Sequence, residues 1–160
     1  MIKLRLFLLS SWLGAAVFFS FVVAPAVFST LRAFTLPNAN EIAGTIVTHS
    51  LSVVNVAGVV TGVALLGMNF IGRRNERGLT NFLTSVAFVV LALATGIGHW
   101  VIAAKMRALR ASMVVIDQVP LEDARRIAFN NLHHYSVLAL GTAMCAAAIA
   151  ILLIRTRSVR

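Results

Sequence analysis

The side chains most suited to bind a metal or a cofactor in this sequence are its four histidines. They are His49, His99, His133 and His134. Imidazole is a common ligand of transition metals and of haem iron, and helical bundles build such sites from side chains on facing helices. An ionisable side chain at membrane depth is also a candidate functional residue by default. Their chemistry therefore depends on the helices that carry them.

These histidines lie in or beside four apolar stretches that are long enough to cross a bilayer. A membrane-spanning helix needs about 20 mainly apolar residues. The composition agrees, since 59% of the 160 residues are hydrophobic and 12% are charged. We predict spans at approximately residues 6–27, 42–71, 82–104 and 135–154. The predicted fold is an all-α, integral-membrane four-helix bundle that forms a single domain over residues 1–160.

The first span also has features of a secretory signal peptide. Two basic residues, Lys3 and Arg5, precede the apolar run. The run ends at Ala24-Pro25-Ala26, a small-residue pattern similar to a cleavage site. The run is long for a signal peptide and Pro25 disfavours cleavage, so we interpret the segment as a retained span. Because Pro25 removes a backbone donor, we also predict a kink there.

The basic residues flank the spans and predict the orientation of the chain. One side carries a single acid, Glu76, and these basic residues: Lys3, Arg5, Arg73, Arg74, Arg77, Arg155, Arg157 and Arg160. The other side carries fewer basic residues and the remaining acids. Cytoplasmic loops are enriched in Lys and Arg, so we predict a protein of the cell inner membrane with both termini in the cytoplasm.

The formal net charge of +9 does not indicate a nucleic-acid partner. The basic residues have the positions expected for setting orientation and meeting lipid headgroups, and no aromatic and basic surface is spaced to stack bases. The predicted partners are the lipid bilayer and either another membrane protein or a second copy of the chain.

The connection between the third and fourth spans is long and lacks Gly. Apolar residues recur at helical spacing from Met106 to Ile116, and Pro120 followed by acidic residues is typical of a new helix start. We therefore predict that residues 105–134 form an outer helical hairpin, which extends spans three and four beyond the bilayer. The four histidines fall toward this same side.

Small residues predict how the spans pack, because they let lipid-embedded helices approach closely. Gly58 and Gly62 lie four residues apart in the second span, and Asn55 continues the same face. A buried Asn must bond to a neighbouring helix or line a polar pocket, and we favour the first alternative. In the fourth span we predict a packing stripe formed by His134, Leu138, Gly141, Cys145 and Ala148.

Several short motifs resemble one known family. The first span ends with Ala24-Pro25-x-x-Phe28-x-x-Leu31, and the fourth begins with Phe129-x-x-Leu132-His133-x-x-Ser136. Ala43-Gly44 opens the second span, and Met106-Arg107-Ala108-Leu109-Arg110 follows the third. Together they are similar to the bacterial domain of unknown function 4149, which is related to the eukaryotic transmembrane protein 205 family.

The resemblance implies a four-helix inner-membrane protein without an established activity. The eukaryotic relatives are associated with platinum-drug resistance, which suggests metal or solute handling but defines no mechanism. His49, His99 and His134 depart from the family pattern, so no family role transfers to them.

Two interpretations of the histidines remain open. In one, His99 and His134 face each other and bind haem b or a transition metal, with His133 and His49 nearby, in a redox protein. In the other, the histidines are hydrogen-bonded at the membrane boundary, where amphipathic side chains are stable. No catalytic motif is complete, so we favour a protein that acts as a partner subunit or handles a solute or metal at the outer face.

Labelling of single cysteines tests the predicted orientation. In a Cys145→Ser background, Asn75→Cys lies in the predicted inner turn and Gln118→Cys in the outer hairpin. A membrane-impermeant thiol reagent added to whole cells should label Gln118→Cys, and Asn75→Cys only after permeabilisation. Labelling of Asn75→Cys in intact cells would show that the true orientation is the reverse of the predicted one.

Overall fold

Four long helices account for most of the structure. The computed structural model describes residues 2–71, 78–113 and 115–158. The helices are α1 (Ile2–Ala33), α2 (Ala39–Ile71), α3 (Leu79–Met113) and α4 (Ala124–Ser158). Each predicted span lies inside one of them, and no strand occurs in the ranges described. The predicted all-α membrane bundle is confirmed.

The helices are longer than a bilayer requires. A helix of 33 residues, the length of α2, is about 50 Å long at about 1.5 Å per residue. The hydrocarbon core of a bilayer is only about 30 Å thick. The predicted hairpin is also confirmed, since α3 continues to Met113 and α4 begins at Ala124 after a short 3₁₀ turn at Ile116–Gln118. We call this the hairpin end of the bundle.

Two helices contain a π-helical turn. In α1 the turn covers Phe19–Val23, and the Ala24 amide donates to the carbonyl of Phe19. Pro25 follows directly, in the first turn of the next α-helical stretch. The disturbance that we predicted at Pro25 therefore takes the form of a π-helical turn, which is a common cause of a kink. The second turn covers Ile97–Ile102 in α3, where no proline is present.

The packing stripe that we predicted for α4 is on the wrong face. Six buried positions recur every three or four residues, with Ala146 buried beside them: Ser136, Leu140, Ala143, Ala147, Ala150 and Ile154. By contrast, Leu138 is 65% exposed and Cys145 is exposed on the surface of the bundle. The two sets differ by two residues, or about 200° around a helix. Small residues lie on both faces of α4, so their spacing does not determine which face packs.

The small residues of α2 lie against α3. A Cβ added at Gly62 would lie 2.9 Å from the Cβ of Ala92 and 3.1 Å from its backbone nitrogen. Asn55 is only 3% exposed, and its amide nitrogen lies 3.3 Å from where a Cβ on Gly98 would be. Small residues on both helices thus allow the close approach of α2 and α3.

Trp12, to which the sequence assigned no role, connects α1 to α2. Its side chain is 4% exposed, and its Nε1 donates to the carbonyl of Val54 at 3.0 Å. In a helix, a side chain covers the turn that precedes it, so Gly58 leaves the Val54 carbonyl accessible. A Cβ on Gly58 would lie 2.9 Å from Trp12 Nε1 and 2.6 Å from Thr95 Cγ2.

Arg5 connects three helices at the end of the bundle opposite the hairpin. It is 9% exposed, and it donates to Asn69 Oδ1 at 3.1 Å and to the carbonyl of Met68 at 2.6 Å. Asn69 in turn donates to Ser85 Oγ of α3 at 2.7 Å. This arginine, which the sequence predicts as an orienting charge, is therefore a packing residue.

Two glycines of α2 provide a matched test of this packing. Gly62→Ala should destabilise the protein by about 1–3 kcal/mol, because the new methyl group meets the backbone of α3, which cannot move aside. Gly67→Ala should be neutral or stabilising, because nothing lies within 4 Å of its added Cβ and Ala is the better helix former. Unfolding of both variants in one detergent measures the difference. Equal midpoints would contradict the close contact of α2 with α3.

Candidate functional site

A cavity of about 240 Å³, lined by both polar and apolar residues, lies at the hairpin end of the bundle. All four helices and the segment between α3 and α4 contribute to its wall. Its charged lining residues are Arg32, Arg110, Asp117 and Arg126. The uncharged polar lining consists of Asn40, Thr48, Asn130 and His133.

Arg110 enters the cavity from α3 and is held by α2. Its Nε lies 3.5 Å from Glu41 Oε1, and the two side chains are only 18% and 20% exposed. Glu41 Oε2 also accepts the backbone N–H of Ile116 at 3.3 Å. A Cβ on Gly44 would lie 2.4 Å from Arg110 Nη2, so the missing side chain makes room for the guanidinium. On another side, Arg110 Cζ lies 5.3 Å from the centre of the Phe129 ring.

Asp117 connects the segment after α3 to the start of α2. Its Oδ2 accepts the backbone N–H of Glu41 at 3.1 Å, and its Oδ1 accepts from Asn40 Nδ2 at 2.8 Å. Asn40 Oδ1 in turn accepts from Arg32 Nε at 3.0 Å. A carboxylate at a helix start satisfies an amide that has no partner within the helix and faces the positive end of its dipole. Asp117 thus holds the start of α2 in place. Through Asn40 it also positions Arg32 at the end of α1.

The arginines at the start of α4 point in two directions. Arg126 lines the cavity and donates through Nη1 to the carbonyl of Val119. Arg125 lies outside it and pairs with Asp123 at 2.7 Å. The hydrogen bonds from Arg125 lower the pKa of the Asp123 carboxyl to about 2, so it is ionised at neutral pH. Of these two arginines, only Arg126 contributes charge to the cavity wall.

The cavity has more cationic than anionic groups. Three guanidinium groups stand against the carboxylates of Glu41 and Asp117, and both oxygens of Asp117 already accept N–H donors. Arg32 Nε and Arg126 Nη1 each donate to a protein acceptor, whereas Arg110 Nε lies 3.5 Å from Glu41 Oε1 in an ion pair without a hydrogen bond. In the part of the chain that the structure describes, no hydrogen bond is made by their other nitrogens. The wall therefore has donors available for an anion.

The histidines do not gather around this cavity. His133 lines it, whereas His49 and His134 do not. The His99 ring contacts that of Trp100 at 4.9 Å, and the His134 ring lies 6.4 Å from that of His133. His134 precedes the buried Ser136 by two residues and so lies on the outward face of α4, which is unfavourable for a ligand shared with His99. Within residues 2–71, 78–113 and 115–158, no three His, Cys, Asp or Glu side chains are placed to hold a metal ion.

Comparison with known families gives one match. The family model for a domain of unknown function (DUF4149) matches residues 7–115, more than half of the chain. The chain belongs to the DUF4149 family. No curated protein and no solved structure matches it. The matched part of this DUF4149 protein contains α2, α3 and all of α1 except its first five residues, whereas the cavity residues of α4 lie outside it.

Several of the motifs that resemble the family converge on the cavity. Its lining includes one or more residues of each quoted motif: Phe28, Gly44, Met106, Arg110, Phe129 and His133. Other motif residues do not line it, among them Pro25, which is exposed, and Ser136, which is buried in the bundle. Sequence reasoning did not identify Arg32, Asn40, Asp117 and Arg126 as site residues. The available signal was weak, because each is a single polar residue near a helix end.

Asp117→Asn tests how the wall of the cavity is held. The variant loses a charge at the start of α2, and its NH₂ group replaces one of two acceptor oxygens. We expect destabilisation by about 0.5–2 kcal/mol, the range for loss of a helix cap. Faster exchange of the Glu41 amide hydrogen should accompany it. Glu122→Gln is the matched control, since Glu122 is an exposed acid of the same segment. Equal effects of the two substitutions would contradict the role of Asp117.

Proposed function

We propose that this DUF4149 protein is a non-catalytic, multi-pass protein of the cell inner membrane that binds a small anionic solute at its outer face. One observation carries the proposal: three arginines from α1, α3 and α4 line one cavity and have guanidinium donors that none of the described residues accepts. The basic flanks of the opposite end support the outer location of the cavity.

The charge of the wall favours an anion over a cation or a neutral solute. Arginine remains charged at any physiological pH, and its planar group binds oxyanions through paired hydrogen bonds. Interactions of this kind are stronger in a partly buried site than in water, because the effective dielectric constant is lower. Glu41 and Asp117 neutralise only part of the charge of the three arginines.

The expected relation of the DUF4149 domain to the transmembrane protein 205 family, which is associated with platinum-drug resistance, supports metal or solute handling rather than catalysis. Among the described residues of the lining, no nucleophile donates a hydrogen bond to a base, and the polar groups converge as in a binding site.

Titration of the purified protein with anions tests the proposal. In detergent and at constant ionic strength, one or more of phosphate, sulfate and the dicarboxylates should raise the unfolding midpoint relative to chloride. Arg126→Gln should weaken the binding of the best anion by about tenfold or more, because a charged hydrogen bond contributes roughly 1.5–3 kcal/mol. Arg110→Gln should act similarly, but it also leaves Glu41 without its ion pair, so Arg126→Gln is the cleaner variant.

The control is Arg107→Gln. Arg107 lies on α3 one turn before Arg110, but it is exposed and does not line the cavity. An equal loss of binding in Arg107→Gln and Arg126→Gln would show a general charge effect and contradict a site in the cavity. Absence of stabilisation by every anion would contradict the proposed function itself.

One observation favours the redox alternative: His99 Nδ1 is buried and has no hydrogen-bond partner among the described residues. The absorption spectrum and metal content of the same preparation test it. A Soret band that disappears in His99→Ala would support haem binding and contradict the non-catalytic proposal. A colourless protein without transition metal is the outcome that we expect.

A further inference from the structure

We infer that the anion bound in the cavity is a phosphate ester. This inference rests on the proposed anion-binding function and names the chemistry of its ligand. It is argued from the arrangement of the guanidinium groups, from the size and lining of the cavity and from the surface around it.

The three guanidinium groups are arranged for an anion with several oxygens. They come from different helices and thus reach the cavity from different sides. Arg32 Cζ lies 5.6 Å from the centre of the Phe28 ring, and Arg110 Cζ lies 5.3 Å from that of Phe129. A guanidinium that lies over an aromatic ring keeps its edge nitrogens available for hydrogen bonds. A carboxylate has two oxygens in one plane, whereas a phosphate ester offers up to three strong acceptor oxygens in different directions.

The volume indicates a ligand larger than phosphate alone. A cavity of about 240 Å³ equals about eight water molecules at roughly 30 Å³ each. Inorganic phosphate has five non-hydrogen atoms, so space remains for a few carbon or oxygen atoms. The wall also has apolar members beside the arginines, namely Phe28, Val47, Met106, Ile116 and Phe129. A phosphate with a short organic substituent fits both the volume and the mixed lining.

The surface around the cavity fits the headgroup layer of a membrane. Four apolar side chains at the hairpin end are strongly exposed: Phe34 by 69%, Leu36 by 41%, Leu121 by 66% and Ile127 by 48%. Exposed basic side chains, among them Lys105 and Arg107, lie on the same part of the bundle. Such a mixture is typical of the boundary between lipid and water. Phosphate esters are available there both as lipid headgroups and as solutes.

Paired titrations test the phosphate ester directly. The probes are glycerol 3-phosphate and, as a carboxylate of similar charge, malonate. Wild-type protein should bind glycerol 3-phosphate at least tenfold more tightly than malonate, as measured by calorimetry in detergent. Arg32→Gln and Arg126→Gln should each weaken the binding of glycerol 3-phosphate by about tenfold or more, while Arg107→Gln leaves this affinity unchanged. Arg126→Lys, which keeps the charge without the planar group, should restore part of the affinity.

A third arm distinguishes the two sources of the ester. Native mass spectrometry counts the phosphatidylglycerol that the protein retains from mixed micelles. Retention that falls in Arg126→Gln and is displaced poorly by glycerol 3-phosphate indicates a lipid headgroup. Binding of the soluble ester without such retention indicates a solute. Either result supports the phosphate ester.

The failures can be told apart. Equal affinity for malonate and glycerol 3-phosphate, with the same dependence on Arg126, would overturn the phosphate ester and leave the anion site standing. No binding of either probe and no arginine-dependent lipid retention would overturn both. Gel filtration and the unfolding midpoint of each variant show that a loss of binding does not reflect a loss of fold.

Discussion

Inside a bilayer, every backbone polar group must find its partner within the protein, because the hydrocarbon contains no water. Continuous helices meet this requirement, and the helices of this protein continue well beyond the thickness that lipid imposes. Charged side chains are stable only where the helices leave the hydrocarbon. The structure accordingly places its buried charges at the two ends, Arg5 at one and the Arg110–Glu41 pair at the other. A polar site in this fold has to be built from helix ends.

Packing between the ends decides how firmly such a site is held. Lipid tails are as apolar as the side chains they contact, so close backbone approach is the main source of helix association. Gly62 and the alanine face of α4 provide that approach, and Thr95 satisfies its hydroxyl within its own helix by donating to Leu91 at 2.7 Å. The result is a bundle whose helices have fixed relative positions. The cavity at the hairpin end depends on those positions, because each helix contributes only a few residues to it.

The same physics explains what the sequence could predict. The spans and the hairpin could be predicted because the length of an apolar run and the residues that start a helix are local features of the sequence. The packing face of α4 was not, since alanines occur all round it and lipid-exposed positions are apolar too. The cavity depends on partners far apart in sequence, as with Glu41 and Asp117, which are 76 positions apart. In the sequence, Arg107 and Arg110 resemble parts of one basic surface. Only Arg110 lines the cavity, because Gly44 of α2 leaves space for its guanidinium.

Gly44 shows how one rule of membrane packing serves both the core and the site. A glycine inside a helix costs about 1 kcal/mol relative to alanine. At Gly62 that cost is offset by close contact with α3, whereas at Gly44 the space is filled by the Arg110 guanidinium. Glu41, one turn earlier on α2, binds the Nε of the same group. The guanidinium is thus located against α2 by shape and by charge together, while its terminal nitrogens stay available. An arginine held in this way needs little reordering to bind an anion, and the binding loses less side-chain entropy than it would with a mobile surface arginine.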